Sequence, residues 1–227
     1  MTDRTAIEAV VLTGGLAQRL DGAVKGEIDI GCGPILTGEL DAVRRAGIAR
    51  AVVVGPGPIH VPPGLDVVVT REDPPFGGPT AAVSAALPFI HSDWVLVLAC
   101  DLPGSATLVD LLLRAWDELA EGGRPAGEGA IVVDRQGHPQ WLAGVYSRAA
   151  VERELDRARE DAPTPAPDGT TRGAPIGRVL SGLDLRRVAD RGDASHDVDT
   201  PEDLAWWRAA TAAAPEVHPS KEEPHDD

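Results

Sequence analysis

Short, uninterrupted apolar runs alternate along this chain with segments whose apolar positions recur every three to four residues. Residues 6–12 (AIEAVVL), 51–54 (AVVV), 66–70 (DVVVT) and 94–99 (WVLVLA) are runs of the first kind. Bounded by turn residues, they read as buried strands. Pro34 opens a helical pattern with Ile35, Leu36, Leu40 and Val43 on one face, and Gly47 stands where a helix stops. Residues 78–90 read as a helix with Pro79 in its first turn, and residues 107–120 as an amphipathic helix carrying Leu108, Leu111, Leu112, Ala115 and Leu119. The stretch from Gly14 to Gly33 is glycine-rich and reads as irregular. Further on come strands at 130–134 and 141–146, a charged helix at 147–159 and a Pro/Gly/Thr loop at 161–175. A short helix at 176–183 and a strand at 184–188 follow. Thr200-Pro201-Glu202-Asp203 supplies an N-cap, a proline at the first helical position and an acid two residues later, which is a strong helix start. Buried strands alternating with helices predict an α/β fold whose mostly parallel sheet is covered on both faces. In such folds ligands bind beyond the carboxyl ends of the strands. That edge gathers the loop after Leu12, the turn after Thr70, and Cys100-Asp101.

Composition narrows the functional classes. The chain has 227 residues, enough for one large domain or two small ones at roughly 100–200 residues each. With 36 acidic residues against 21 basic ones the formal net charge is −15, which speaks against a nucleic-acid partner of the usual basic kind. No apolar run approaches the roughly 20 residues that span a bilayer, and the first residues carry no signal-peptide pattern. Cys32 and Cys100 form no CxxC. This usage fits a reducing compartment, so a cytoplasmic location without membrane attachment is expected. Residues 211–227 are poor in apolar residues and rich in carboxylates, and a disordered acidic tail is expected there.

Three places carry candidate chemistry. In the loop 12–25 (LTGGLAQRLDGAVK), Gly14 and Gly15 let backbone N–H groups approach an anion closely, and Arg19 and Lys25 add two cations suited to a polyphosphate. Neither GxxxxGK[ST] nor GxGxxG is present. Only Lys25 and Lys221 are lysine, and every other cation is arginine. A lysine before the tail therefore marks a position where a compact ammonium is needed. Asp101, at the end of the most apolar strand, is placed to ligate Mg2+, which takes one or two carboxylates together with substrate phosphates. Asp197 and Asp199 alternate, so in an extended segment they face the same way and offer a further metal ligand. Each place also has a structural reading: a solvated loop, a turn aspartate before Pro103, and capping of the next helix. Cys100 reads as a small core residue.

Taken together these segments resemble the molybdenum cofactor guanylyltransferases, a branch of the nucleotidyltransferases with a single Rossmann-like domain. Leu12-Thr13-Gly14-Gly15 through Arg19, Gly22 and Lys25 is similar to that family's LxGGxxxRMGxxK loop, with Asp21 as one extra residue. Residues 72–79 (EDPPFGGP) resemble the segment that faces the nucleobase, Cys100-Asp101-Leu102-Pro103 the metal-binding CDxP, and residues 197–204 (DVDTPEDL) the closing NxNTPEDL, with aspartate in place of both asparagines. The resemblance implies a three-layer nucleotidyltransferase domain over residues 1–210. It implies joining of GMP from GTP to the phosphate of molybdenum-molybdopterin, with release of pyrophosphate. Leu12, Thr13, Gly14, Gly15, Lys25 and Gly78 would lie along the nucleotide. Arg19, Lys25 and Asp101 would act on the phosphates, and Mg2+, with Mn2+ as the alternative, would sit on Asp101 with Asp197 or Asp199. GTP, a molybdopterin acceptor and the proteins that deliver molybdopterin are the implied partners. The family's base-contacting aspartate aligns with Arg71, so Glu72 or Asp73 is expected to accept from the guanine N–H groups, which arginine cannot do. Val24 stands where the family has an acid, and Gly55-Pro56 replaces an asparagine. Cytidylyl transfer to the same pterin, sugar-phosphate nucleotidyl transfer and a non-catalytic nucleotide-binding role are the rival readings.

Overall fold

The computed structural model describes residues 4–13, 16–17, 23–55, 60–73, 75, 77–120, 126–161 and 174–213. The apolar runs form the strands β1 (Ile7–Leu12), β4 (Arg50–Val54), β5 (Asp66–Thr70) and β6 (Trp94–Ala99). Between the first two lie a small antiparallel ladder of β2 (Leu16–Ala17) on β3 (Ala23–Val24), a 3-10 turn at Lys25–Glu27 and the helix α1 (Ile35–Arg45). The remaining elements are α2 (Pro79–Ala86), α3 (Ser105–Leu119), β7 (Gly129–Val133), β8 (Pro139–Ser147), α4 (Arg148–Glu160), α5 (Ile176–Leu180), β9 (Leu185–Ala189) and α6 (Pro201–Ala213). Seven strands make the main sheet in the order β5-β4-β1-β6-β8-β7-β9. Neighbours from β5 to β6 are parallel, β8 runs antiparallel to both β6 and β7, and β9 is parallel to β7. Only β8 opposes the common direction, so the carboxyl ends of β1, β6 and β9 share one edge.

Strand alternation divides the interior into two cores. Ile7, Ala9 and Val11 of β1, with Leu96 and Leu98 of β6, meet α1 and α3 through Leu40, Val43, Leu108 and Leu112. Val10, Leu12, Val95 and Val97 face the other way, onto Val83, Ala86, Val151 and Leu155 of α2 and α4. Central strands buried on both faces explain why the pattern is continuous rather than alternating. Among the described residues no helix is long and apolar enough to cross a membrane.

Three local expectations change. The stretch after Gly14 is not wholly irregular, since it holds the β2–β3 ladder and the turn at Lys25–Glu27. The helix expected over 78–90 is α-helical only to Ala86 and continues as a 3-10 turn at Leu87–Phe89. Pro88 lacks the N–H that another α-helical turn requires. The last helix runs through Ala213, past the expected tail boundary at 211, because its alanines are the strongest helix formers. The tail from 214 onward lies outside the described residues.

The apolar stripe of α1 carries one carboxyl group. Glu39 is fully buried among Ile35, Leu36, Leu40 and Val43. The Cys100 thiol donates to its Oε2 at 2.8 Å, while its Oε1 has no partner. Burial, with a smaller contribution from the charge on Asp101, pushes the Glu39 pKa up to about 8. The folded chain therefore holds this proton over a pH range where the unfolded chain has released it. Because the native state binds more protons there, stability falls as pH rises from about 4.5 to about 8. Urea unfolding across this range is expected to show that decline, and Glu39→Gln is expected to flatten it. An unchanged pH slope in the variant would mean that Glu39 is not the group responsible.

Candidate active site

The carboxyl edge of the sheet is closed by backbone contacts before any side chain acts. Cys100 N–H donates to Leu12 C=O at 3.0 Å and Thr13 N–H to Val54 C=O at 2.9 Å, which fixes the ends of β1, β4 and β6 side by side. The closing segment arrives from β9. Its Val198 N–H donates to Asp101 C=O at 2.8 Å. Val198 is itself fully buried with Ile28, Ile30 and Ile35 from the segment after Lys25. Asp190, at the end of β9, accepts from Ser195 N–H and Oγ at 2.7 Å each, which bends the chain back toward Asp101. The capping expected at Thr200 is present: Thr200 Oγ1 accepts from Asp203 N–H at 3.2 Å, and Asp203 Oδ2 accepts from Thr200 N–H at 2.8 Å. Asp199 N–H also donates to Asp203 Oδ2 at 3.2 Å, but the carboxylates of Asp197 and Asp199 stand outside that box.

The functional side chains meet at Lys25. Its Nζ donates to Asp101 Oδ2 at 3.0 Å and to Asp199 Oδ1 at 2.6 Å. Burial works to lower the Lys25 pKa, but the attraction of Asp101 and the hydrogen bonds to Asp199 and Asp101 outweigh it and hold the ammonium above its usual value. Asp197 is raised, first by burial and then by repulsion from Asp199 and Asp101. Among the described residues no group of three or more His, Cys, Asp or Glu is placed to hold a metal ion. The pair Asp101 and Asp199 nevertheless fits a hard divalent cation. Both are oxygen donors with one oxygen each within 3.0 Å of a single cationic nitrogen, and such ions take one or two carboxylates and complete their shell with water and phosphate.

Two cavities open at this point. The larger, about 320 Å³, is lined by Leu12, Thr13, Lys25, Glu72, Gly78 and Asp101, with α2 forming a wall through Pro79 and Ala82. The smaller, about 230 Å³, is lined by Asp101, Asp197, Ile176 and the β8 residues Pro139–Leu142. Asp101, Ala99 and Leu142 border both. Of the expected nucleobase contacts, Glu72 is buried and lines the larger cavity, while Arg71 and Asp73 are exposed and do not line it. Gly14, Gly15 and Arg19 lie outside the described residues. The sequence reading missed Gln140, Trp141 and Leu142, which no motif marks. It also missed Gly104, the residue after Cys100-Asp101-Leu102-Pro103.

Comparison with known proteins identifies the family. Residues 9–166 match the family model described as the MobA-like NTP transferase domain. The chain belongs to that family. The molybdenum cofactor guanylyltransferase of Serratia proteamaculans (strain 568) is 32% identical over 205 residues, spanning 89% of this chain and 94% of that protein. Among solved structures, molybdopterin-guanine dinucleotide biosynthesis protein A from Archaeoglobus fulgidus superposes with a TM-score of 0.62 at 19% identity, covering 90% of this chain and 98% of its own. Rv0371C of Mycobacterium tuberculosis H37Rv in complex with manganese gives 0.59 at 20% identity, covering 90% and 98%. The structural likenesses carry the fold, and the sequence matches make this MobA-like chain a nucleotidyltransferase.

Within this MobA-like domain Gly104 lets the closing segment reach Asp101. A Cβ there would lie 2.3 Å from Ala194 O and 2.7 Å from Ala194 Cα, both backbone atoms that cannot swing aside. Gly104→Ala is expected to lower stability by about 1–3 kcal/mol. It should also push the 194–199 segment off β6. Denaturant unfolding checks the first effect, and loss of nucleotide binding the second. A variant as stable as the parent would show that the segment adapts.

Proposed function

We propose that this enzyme joins GMP from GTP to the terminal phosphate of molybdenum-molybdopterin and releases pyrophosphate, a step of molybdenum cofactor biosynthesis. The observation that carries this reading is that Asp101 borders both cavities. A nucleotide in the larger and an acceptor phosphate in the smaller would bring the two reacting phosphates together at Asp101. An oxygen of the acceptor phosphate attacks the α-phosphorus of GTP. The new P–O bond forms as the bond from the α-phosphorus to the bridging oxygen of pyrophosphate breaks. No protein nucleophile is required, so positioning and charge neutralisation supply the rate.

The roles of the residues follow from where they stand. Leu12 and Thr13, at the end of β1, lie along the nucleoside, with Gly78 and Pro79 opposite. Glu72 is a buried acceptor-only group suited to the N1–H and N2–H donors of guanine. Lys25 neutralises the phosphates, and Gly14, Gly15 and Arg19 are assigned to the same polyphosphate. Asp101 and Asp199 would hold Mg2+ or Mn2+, which supplies charge neutralisation of the phosphates when bound. Asp197 faces the acceptor side, where Trp141 offers a flat aromatic surface to a pterin.

Turnover of GTP and CTP with the pterin acceptor tests the assignment directly, and a preference for GTP is expected. Glu72→Gln replaces an acceptor by a group that presents N–H to the base. It is expected to lower kcat/KM for GTP by about 10- to 100-fold. Asp73→Asn should stay near the parent value. Equal use of both nucleotides by the parent, or an effect of Asp73 alone, would overturn the guanine assignment. Asp101→Asn should keep the fold and lose most metal-dependent turnover, and near-normal turnover would move the cation to other ligands.

A further inference from the structure

The ammonium of Lys25 stands on two carboxylates that a divalent cation would also need. We propose that Lys25 is a built-in competitor for that cation. Parked on Asp101 and Asp199, it keeps a divalent ion off these oxygens until a polyphosphate draws it away, so the metal enters with the nucleotide rather than before it. This inference rests on the reading of Asp101 and Asp199 as the metal-holding pair, but not on the identity of the base or the acceptor.

Geometry sets the two cations in competition for the same pair of oxygens. Asp101 Oδ2 and Asp199 Oδ1 are each committed to the same Nζ, at 3.0 and 2.6 Å. A divalent cation bridging these two oxygens would bond each at about 2.0–2.1 Å, on atoms whose charge the ammonium already balances. The Lys25 side chain is only 17% exposed, so water screens the repulsion between the two cations weakly.

The release partner is supplied by the cavity itself. Lys25 lines the larger cavity together with Thr13 and Glu72, so a polyphosphate bound there lies within reach of its four-carbon stem. The backbone beneath it stays fixed while the stem moves. Gly26 packs so closely that an added Cβ would lie 3.2 Å from Leu36 Cβ and 3.6 Å from Cys100 Sγ. Asp199 sharpens the device in this chain. Its carboxylate lies 2.6 Å from Nζ, and a carboxylate holds an ammonium by charge as well as by hydrogen bonding.

The composition makes the test unusually clean. Lys25 and Lys221 are the only lysines, so 13Cε/15Nζ-lysine labelling of the full chain gives two NMR signals, and Lys221 in the tail serves as the internal reference. Tripolyphosphate, which carries no base, is expected to shift the Lys25 signal in the presence of a chelator. Mg2+ alone at sub-millimolar concentration should leave it in place. In parallel, Mn2+ binding without nucleotide, read from the electron paramagnetic resonance of the free ion, should tighten at least about 10-fold in Lys25→Met. A Lys25 signal that moves with Mg2+ alone, or stays fixed under tripolyphosphate, overturns the proposal, as does unchanged Mn2+ affinity in the variant. If the guanine or pterin assignment is wrong while these results hold, the competitor role stands without it.

Discussion

One backbone hydrogen bond, from Val198 N–H to Asp101 C=O at 2.8 Å, joins the two halves of the candidate site. Asp101 ends β6 in the centre of the sheet, whereas Val198 follows β9 at its far edge. Without that bond the two carboxylates 98 positions apart in the chain would have no reason to share a lysine. The bond depends in turn on the single direction shared by β6 and β9, and on a glycine at 104 that lets Ala194 pass against the backbone. Burial of Val198 with Ile28, Ile30 and Ile35 then locks the segment that carries Lys25 to the segment that carries Asp199.

The site placed on this frame is anionic. Asp101, Asp197 and Asp199 stand against Lys25, and burial followed by repulsion from Asp199 and Asp101 already raises the Asp197 pKa. A fourth negative charge behind Asp101 would make the arrangement harder to sustain. Glu39 is in that position, and burial keeps it protonated at neutral pH, where it joins the Cys100 thiol in an uncharged contact. The Cys100 thiol is raised by the same burial, with Glu39 adding to it, so neither group contributes charge beneath Asp101.

Much of this was legible in the residues. β6 begins and ends where its apolar run does, since a central strand of a parallel sheet is buried on both faces and bounded by turns. β5 keeps its expected bounds but, at the sheet edge, is not the buried strand its run suggests, with Val69 exposed. The motif residues Lys25, Asp101 and Asp199 were singled out from their types and positions, and they converge within hydrogen-bonding distance. The direction of β8 was not legible, because an apolar run reads the same both ways. The smaller cavity, built largely on β8, stayed hidden for that reason. Glu39 could have been found. It lies three and four residues after Leu36 and Ile35 on the apolar face of α1, and a carboxylate at a core position signals a buried partner. Gly104 could not, because only the three-dimensional approach of Ala194 distinguishes it from any other turn glycine.

The choice between Glu72 and Asp73 turns on burial rather than on residue type. Both are acceptor-only carboxylates on the segment after β5, and the sequence offers no ground to prefer either. In water a carboxylate exchanges one hydrogen-bond partner for another at little net gain, so an exposed acid discriminates poorly between bases. A buried acid loses its water and must find donors on the ligand, and a ligand that lacks them leaves it unsatisfied. Glu72 is buried at the cavity wall and Asp73 is exposed, which is why the proposed guanine contact rests on Glu72. In the proposed reading Glu72, two residues after the end of β5, takes the place of the aspartate that the resemblance puts at Arg71.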